Sequence, residues 1–191
     1  MKNVLFFGYK KKQNSLISFF KKKNYKIVQQ GQKKLTKEIL NQNFDLIISF
    51  GYKTIIKKKL LSYLNRPIIN LHISYLPYNR GSHPNFWSFI DNTPKGVSIH
   101  EINESIDGGK LIARKRVVFK KLKNHTFNST YKILIREIEN LFKKNFSTII
   151  LRKYNKININ TKGTYHSKKD LPGSMISWNM KVKDYLKFYF R

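Results

Sequence analysis

Cysteine is absent from the chain and acidic residues are scarce, 10 Asp and Glu against 39 Lys and Arg, for a formal net charge of +29. Without thiols there can be no disulfide, no thiolate zinc site and no cysteine nucleophile, and the redox compartment stays undecided. Long hydrophobic runs are missing too. The apolar run Val4 to Phe7 is far shorter than a signal-peptide core and is cut off by Lys10, Lys11 and Lys12. No stretch approaches the ~20 apolar residues of a membrane span, so a cytoplasmic protein is expected. A glycine-rich phosphate loop is also lacking. Gly8 stands alone after the first apolar run, with neither G-x-G-x-x-G nor a P-loop around it.

The positive charge has two readings. Of the 39 basic residues 32 are Lys, and the chain is rich in Asn, Ile, Phe and Tyr, which an A/T-rich coding bias favours. Polynucleotide grooves recruit Arg for bidentate phosphate and base contacts, so composition is the preferred reading. A basic nucleic-acid-binding module is the alternative from another class. In either case the field attracts anionic ligands.

A chain of 191 residues holds one domain with a sizeable core, plus an appendage. Apolar runs at Val4–Gly8, Tyr25–Gln29, Phe44–Ser49 and Pro67–His72 read as strands. Helical patterns alternate with them at 14–20, at 35–41 and from Gly51 to Leu64. That order predicts an α/β fold with a mostly parallel, Rossmann-like sheet flanked by helices. Further strands are expected at Gly96–His100 and Leu111–Phe119. A long helix is expected over Thr126–Leu151, where Leu134, Ile138, Phe142, Phe146 and Ile149 recur at helical spacing and Thr126 or Ser129 caps the amino end. The tail, residues 152–191, mixes turn residues, among them Gly163 and Pro172–Gly173, with aromatics. It is too apolar for disorder and too short for a second domain, and is expected as an extension packed on residues 1–151.

Chemistry concentrates between Asn70 and Asp107. Asn70 and His72 are two apart on a strand and project from one face. Loop residues follow at Leu76–Pro77 and Tyr78–Gly81, then His83–Pro84, with Pro84 suited to the first turn of an aromatic helix carrying Phe86, Trp87, Phe89 and Ile90. After the next strand, the turn Ile106-Asp107-Gly108-Gly109 brings a carboxylate from a different element.

In these motifs the chain resembles the folate-dependent formyltransferases: Asn70-Leu71-His72, Ser74-Tyr75-Leu76-Pro77, Arg80-Gly81, Pro84-Asn85-Phe86-Trp87 and Asp107-Gly108-Gly109, in the family's order. The resemblance covers the central third of the chain well, and residues 151–191 lie outside it. It implies the formyltransferase fold, a catalytic domain over residues 1–151 and 10-formyltetrahydrofolate as formyl donor. It also implies donor contacts from the turn at Lys53, Thr54 and Ile55 and from Ile106. The subfamily most resembled acts on amino-sugar nucleotides. Formyltransferases for glycinamide ribonucleotide hold its phosphate with a Gly-Asn-Gly-Ser type loop, which Tyr9-Lys10-Lys11-Lys12 replaces here. Those for tRNA carry a further β-barrel domain that residues 152–191 are too few to build. Glycinamide ribonucleotide formylation and formyltetrahydrofolate hydrolysis stay as alternatives.

Formyl transfer to an amine needs a neutral nucleophile, donors for a developing oxyanion and a route for a proton off the attacking nitrogen. Asn70 and His72, the latter as imidazolium, are expected as donors. Asp107 is expected to favour the charged form of His72 and to accept the amine proton. No metal is called for. A lone strand histidine is more often a hydrogen-bonded core residue; His83 and His100 are left structural, His100 as a strand residue and His83 as a helix-entry contact. Trp87 reads as core, and Ser74 lacks a nucleophile elbow. For Gly163-Thr164-Tyr165-His166, with Lys168 and Lys169, phosphate or acceptor contact competes with a solvated tail packed by Tyr165, and the second is preferred. Lys10, Lys11, Lys12, Arg114 and Arg116 are candidates to hold an anionic acceptor. Expected partners are therefore a small amine acceptor in the form of a sugar nucleotide, with no specific nucleic acid and no membrane; a homodimer is left open.

Overall fold

The computed structural model describes residues 1–10, 15–172 and 177–190, so Lys11, Lys12, Asn14 and Gly173 lie outside the described residues. Its centre is a six-stranded sheet built from β1 (Asn3–Gly8), β2 (Lys26–Gly31), β3 (Leu46–Phe50), β4 (Ile68–His72), β6 (Gly96–Glu101) and β7 (Leu111–Arg116). The strand order is β2-β1-β3-β4-β6-β7. The first four strands run parallel, and β6 runs against both of its neighbours. A two-residue strand β5 (Arg80–Gly81) pairs in parallel with β8 (Tyr165–His166) of the tail.

The strands β1, β3 and β4 are apolar on both faces because both faces are covered. One face packs Val4, Phe6, Ile48, Ile69, Leu71 and Ile99 against α1 (Leu16–Lys22) and α5 (Phe127–Ile150). In α5 the buried residues Leu134, Ile138, Phe142, Phe146 and Ile149 form one stripe. Its amino end closes on a reciprocal cap, with Ser129 N–H donating to Thr126 Oγ1 and Thr126 N–H to Ser129 Oγ, each at 3.0 Å. Both expected cap residues therefore act together. The opposite face buries Leu5, Phe7, Ile47 and Ile68 with Leu35, Leu40 and Phe44.

Several expected elements are shorter. The segments at 35–41 and 51–64 yield only α2 (Lys37–Leu40) and α3 (Lys58–Leu61), because α2 buries only Leu40 and α3 no residue, so neither has a packed face to stabilise a longer helix. The last expected strand ends at Arg116 rather than Phe119. In the tail, α6 (Val182–Tyr189) is a helix that the tail's composition did not suggest. It buries Val182 and Tyr185 in a third apolar cluster with Phe127 and with Phe86, Trp87 and Phe89 of α4 (Pro84–Ile90). Trp87 is 5 % exposed, as expected of a core residue. Among the described residues no helix is long and apolar enough to cross a membrane.

Candidate active site

Asn70 and His72 stand on the face of β4 that carries Ile68, where polar residues replace apolar ones toward the strand's carboxyl end. The register extends this polar strip sideways: Asn70 lies beside Ser49 of β3 and His100 of β6, and His72 beside Ser98. The following loop is staked from below. Ser98 Oγ accepts Leu76 N–H at 3.0 Å and donates to Ser74 O at 2.8 Å, while Arg114 Nη1 donates to Leu76 O at 2.6 Å and its guanidinium lies over the Tyr75 ring. The Leu76–Pro77 peptide is cis. Arg114 is thereby held under this loop by part of its guanidinium.

Asp107, held in a left-handed turn at φ 49°, is where the site converges. Its Oδ2 accepts Gly81 N–H at 2.8 Å and lies 3.7 Å from His72 Nε2; its Oδ1 accepts Asn70 Nδ2–H at 3.3 Å and lies 3.5 Å from His100 Nε2. The structure thus brings Asn70, His72 and Asp107 together as expected, and adds two groups. One is the Gly81 N–H. The other is His100, set aside as a strand residue, whose Nε2 is 3.0 Å from Asn70 Nδ2 and whose Nδ1 donates to Glu101 O at 2.8 Å. The only sequence signal for His100 was that it shares a strand face with Ser98. Its place opposite Asn70 depends on the β4–β6 register, which a single chain does not display.

The electrostatics agree with the expectation for Asp107 and revise the one for His72. Burial by itself would raise the Asp107 pKa, but His72, His100 and the Gly81 N–H outweigh it and hold the carboxyl well below the usual carboxylate range. Asp107 is therefore an anion at neutral pH. His72 is not the imidazolium that was expected: burial lowers its pKa, and the attraction of Asp107 only partly offsets that. Its ring is neutral at pH 7. The neighbours of Nε2 are two acceptors, Asn79 O at 3.4 Å and Asp107 Oδ2 at 3.7 Å, which place the proton on Nε2. Both contacts are long, so this N–H is loosely held and free to re-aim, as catalytic groups are before a substrate arrives. Asn70 is the reverse case. Both Nδ2 hydrogens are directed to protein partners, His100 and Asp107, so it is no free oxyanion donor as it stands. A testable consequence is that His72, followed through its ring nitrogens by NMR, titrates below the ordinary 6.5; a midpoint at or above that value would restore the imidazolium.

The turn after β3 lies at the same end of the sheet, since Phe50 is in register with Leu71. There Ile55 is 71 % exposed, and Ile106, next to Asp107, is 39 % exposed. Lys53 is constrained: its N–H donates to Gln32 Oε1 at 3.1 Å while Gln32 Nε2 donates to Gly51 O at 2.8 Å. Of the expected donor-binding turn, Thr54 and Ile55 keep backbone groups to offer, and Lys53 its ammonium. His83, at φ 51° before α4, stacks on Trp178 with ring centroids 5.5 Å apart. Burial and the positive charges of Lys168 and Lys53 depress its pKa. His166 departs from the expectation for the tail. It is engaged with Asp91 Oδ2 at 2.7 Å and stacked flat on Trp87, whereas Tyr165 is 48 % exposed and packs little. Among the described residues no group of three or more His, Asp or Glu is placed to hold a metal ion.

Comparison with known proteins draws on this same region. The formyl transferase family model matches residues 3–139. A dTDP-4-amino-4,6-dideoxyglucose formyltransferase of Mycobacterium tuberculosis is 30% identical over 129 residues, which are 68% of this chain and 53% of that protein. A methionyl-tRNA formyltransferase of Buchnera aphidicola is 30% identical over 166 residues, 83% of this chain and 51% of that protein. The chain thus spans about half the length of these curated relatives. Among solved structures, the formyltransferase PseJ from Anoxybacillus kamchatkensis, in complex with UDP-4,6-dideoxy-4-formamido-L-AltNAc and tetrahydrofolate, superimposes with a TM-score of 0.83. It is 37% identical, with 95% of this chain and 96% of that chain covered. A family match over residues 3–139, a range that includes Asn70, His72 and Asp107, means that this protein belongs to the formyl transferase family.

Proposed function

We propose that the protein moves a formyl group from 10-formyltetrahydrofolate to the amine of a sugar nucleotide, with Asn70, His72 and Asp107 as its working groups. The observation that carries this reading is the loosely held Nε2–H of a neutral His72 beside a carboxylate that stays ionised. An acyl transfer to an amine needs such a donor and such an anion side by side. The exposed side chains of Ile55 and Ile106 suit a flat heteroaromatic group, and the free backbone groups of Thr54 and Ile55 suit its polar edge. When bound, the reduced folate supplies the formyl carbon.

His72 turns its Nε2–H from Asn79 O toward the formyl oxygen as negative charge grows there. Asp107 faces the attacking nitrogen, stabilises its developing positive charge and draws off its proton, which goes on to solvent because so weak a base does not retain it. Asn70 fixes Asp107 through Oδ1, and can release one amide hydrogen toward the formyl oxygen. The departing folate nitrogen recovers a proton, so amine and donor become formamide and tetrahydrofolate with no other reactant.

The acceptor class rests on the 37% identity to PseJ, crystallised with a formamido sugar nucleotide. It is supported by the cationic neighbourhood of His83, where Lys53 and Lys168 come from two different elements. Side-chain charge of that kind can hold a diphosphate where no glycine-rich loop exists. We assign the protein to the cytoplasm, where reduced folates and nucleotide sugars are found. Steady-state assays of a nucleotide-linked amino sugar, the same free amino sugar and glycinamide ribonucleotide, at two salt concentrations, test the proposal. The linked sugar is expected to exceed the free one at least about tenfold in kcat/KM, as for the loss of a charge-assisted hydrogen bond. Its KM is expected to rise with salt. Preference for glycinamide ribonucleotide would move the protein to another acceptor class.

A further inference from the structure

The loop after β4 reaches the site with two backbone groups, the Asn79 carbonyl against His72 and the Gly81 N–H on Asp107. Neither is placed by the loop alone. Asn79 is 1 % exposed and sits in the left-handed region at φ 54°, so its polar groups need protein partners. Its Nδ2 donates to Asp91 Oδ2 at 3.0 Å, its Oδ1 accepts from Thr93 at 2.6 Å, and its N–H donates to Thr164 Oγ1 at 2.8 Å. Asp91 Oδ2 also receives His166 Nε2–H at 2.7 Å, and the His166 ring lies flat on Trp87 with centroids 3.9 Å apart. A path therefore runs from the tail through Asp91 to the Asn79 side chain, whose own backbone carbonyl makes the long, 3.4 Å contact to His72.

The tail backbone places the second group. Arg80 N–H donates to Thr164 O at 3.0 Å and Ser82 N–H to His166 O at 2.8 Å. Successive N–H groups of an extended chain point to opposite sides, so these two bonds turn the intervening Gly81 N–H toward Asp107. The approach is too close for a side chain: a Cβ on Gly81, at φ 89°, would lie 2.3 Å from His166 O, and one on Gly163 would lie 2.1 Å from Pro77 O.

We infer that Gly163–Ser167 is a built-in brace of the active-site loop and that His166 is a positioning residue for His72, acting through Asp91 and Asn79. Its consequence for turnover rests on the catalytic reading of His72; its consequence for the His72 ring does not. The test therefore reads both in His166→Phe, which keeps a ring on Trp87 and the backbone pairing but removes the N–H to Asp91, and in His166→Gln, which restores an N–H donor. In the Phe variant the ring-nitrogen NMR signals of His72 should move away from the Nε2–H form, with kcat lower by about tenfold or more and KM for the folate donor unchanged. The Gln variant should recover most of both. Thr164→Val, which removes the acceptor of the Asn79 N–H, should shift the His72 signals in the same direction and stands in if the Phe variant does not fold. His72 signals identical to wild type in the folded variants would overturn the inference, whatever happens to turnover. Shifted signals with unchanged kcat would uphold the brace and remove His72 from the chemistry.

Discussion

Asp107→Asn should lose turnover by on the order of a hundredfold or more while the protein keeps its fold. The wild-type carboxylate gathers the Gly81 N–H, an Asn70 amide hydrogen and the near edges of His72 and His100. An amide of the same shape can still accept from Gly81 through its oxygen. Its NH2 must then face Asn70 and His100 Nε2 in place of an acceptor, and the negative charge opposite the attacking nitrogen is gone. The loss should fall on kcat, because the charge is needed where positive charge develops and not where the folate binds. Stability also changes, with a defined sign. A carboxylate whose pKa is depressed by folding stabilises the native state above its unfolded value, near 3.8, and loses that contribution as pH falls through the native one. The Asn variant lacks this contribution at neutral pH, and the gap between the two melting temperatures should close under strong acid. Combining Asp107→Asn with His72→Ala should cost little more than either alone, since the groups act as a unit. Turnover within threefold of wild type would remove Asp107 from the proton route.

The largest stability effect is expected for Phe142→Ala. Phe142 is fully buried on α5, with its ring against Phe20 at 5.8 Å, Phe146 at 6.0 Å and Phe19 at 6.5 Å between centroids. This cluster joins α1 to α5 over the sheet, and truncation leaves a cavity that two packed helices cannot close. The cost should be about 3–5 kcal/mol, which for a chain of this size lowers the melting temperature by on the order of ten degrees. Thermal unfolding followed by circular dichroism checks it. Well below its midpoint the variant should keep near-native kcat, because the proposed catalytic groups sit on β4, on the turn after β6 and on the loop after β4, over the opposite face of the sheet. A drop of only a degree or two would mean that the helix–helix seam is looser than its ring contacts imply.

How far the sequence displayed these features follows from the range of each interaction. The strands β1, β3 and β4 are legible as apolar runs because parallel strands are buried on both faces, and α5 is legible because its stripe from Leu134 to Ile149 recurs over about four turns. Asn70 and His72 are legible from their spacing on one strand, and Asp107 from the resemblance of its turn to that of the formyltransferases. His100 is not, because it acts through cross-strand register, and neither is the pairing of Arg80–Gly81 with Tyr165–His166, two-residue strands some 85 positions apart, as in the Asn79–Thr164 bond. The neutral state of His72 is hidden for another reason. Sequence shows a carboxylate nearby, which argues for charge, but burial, which decides the sign, appears only in the folded chain, where His72 is 8 % exposed. The helix expected from Gly51 to Leu64 shrinks to the four residues of α3, none of them buried.

The most direct measurement follows an isotopically labelled formyl group from 10-formyltetrahydrofolate in a single turnover, with and without an amino-sugar nucleotide present, reading the products by mass spectrometry. Label should appear as a formamide on the sugar nucleotide, at a rate that requires the amine and collapses in Asp107→Asn. Label released as free formate at the same rate with or without the amine would contradict formyl transfer and identify a hydrolase built on the same three side chains.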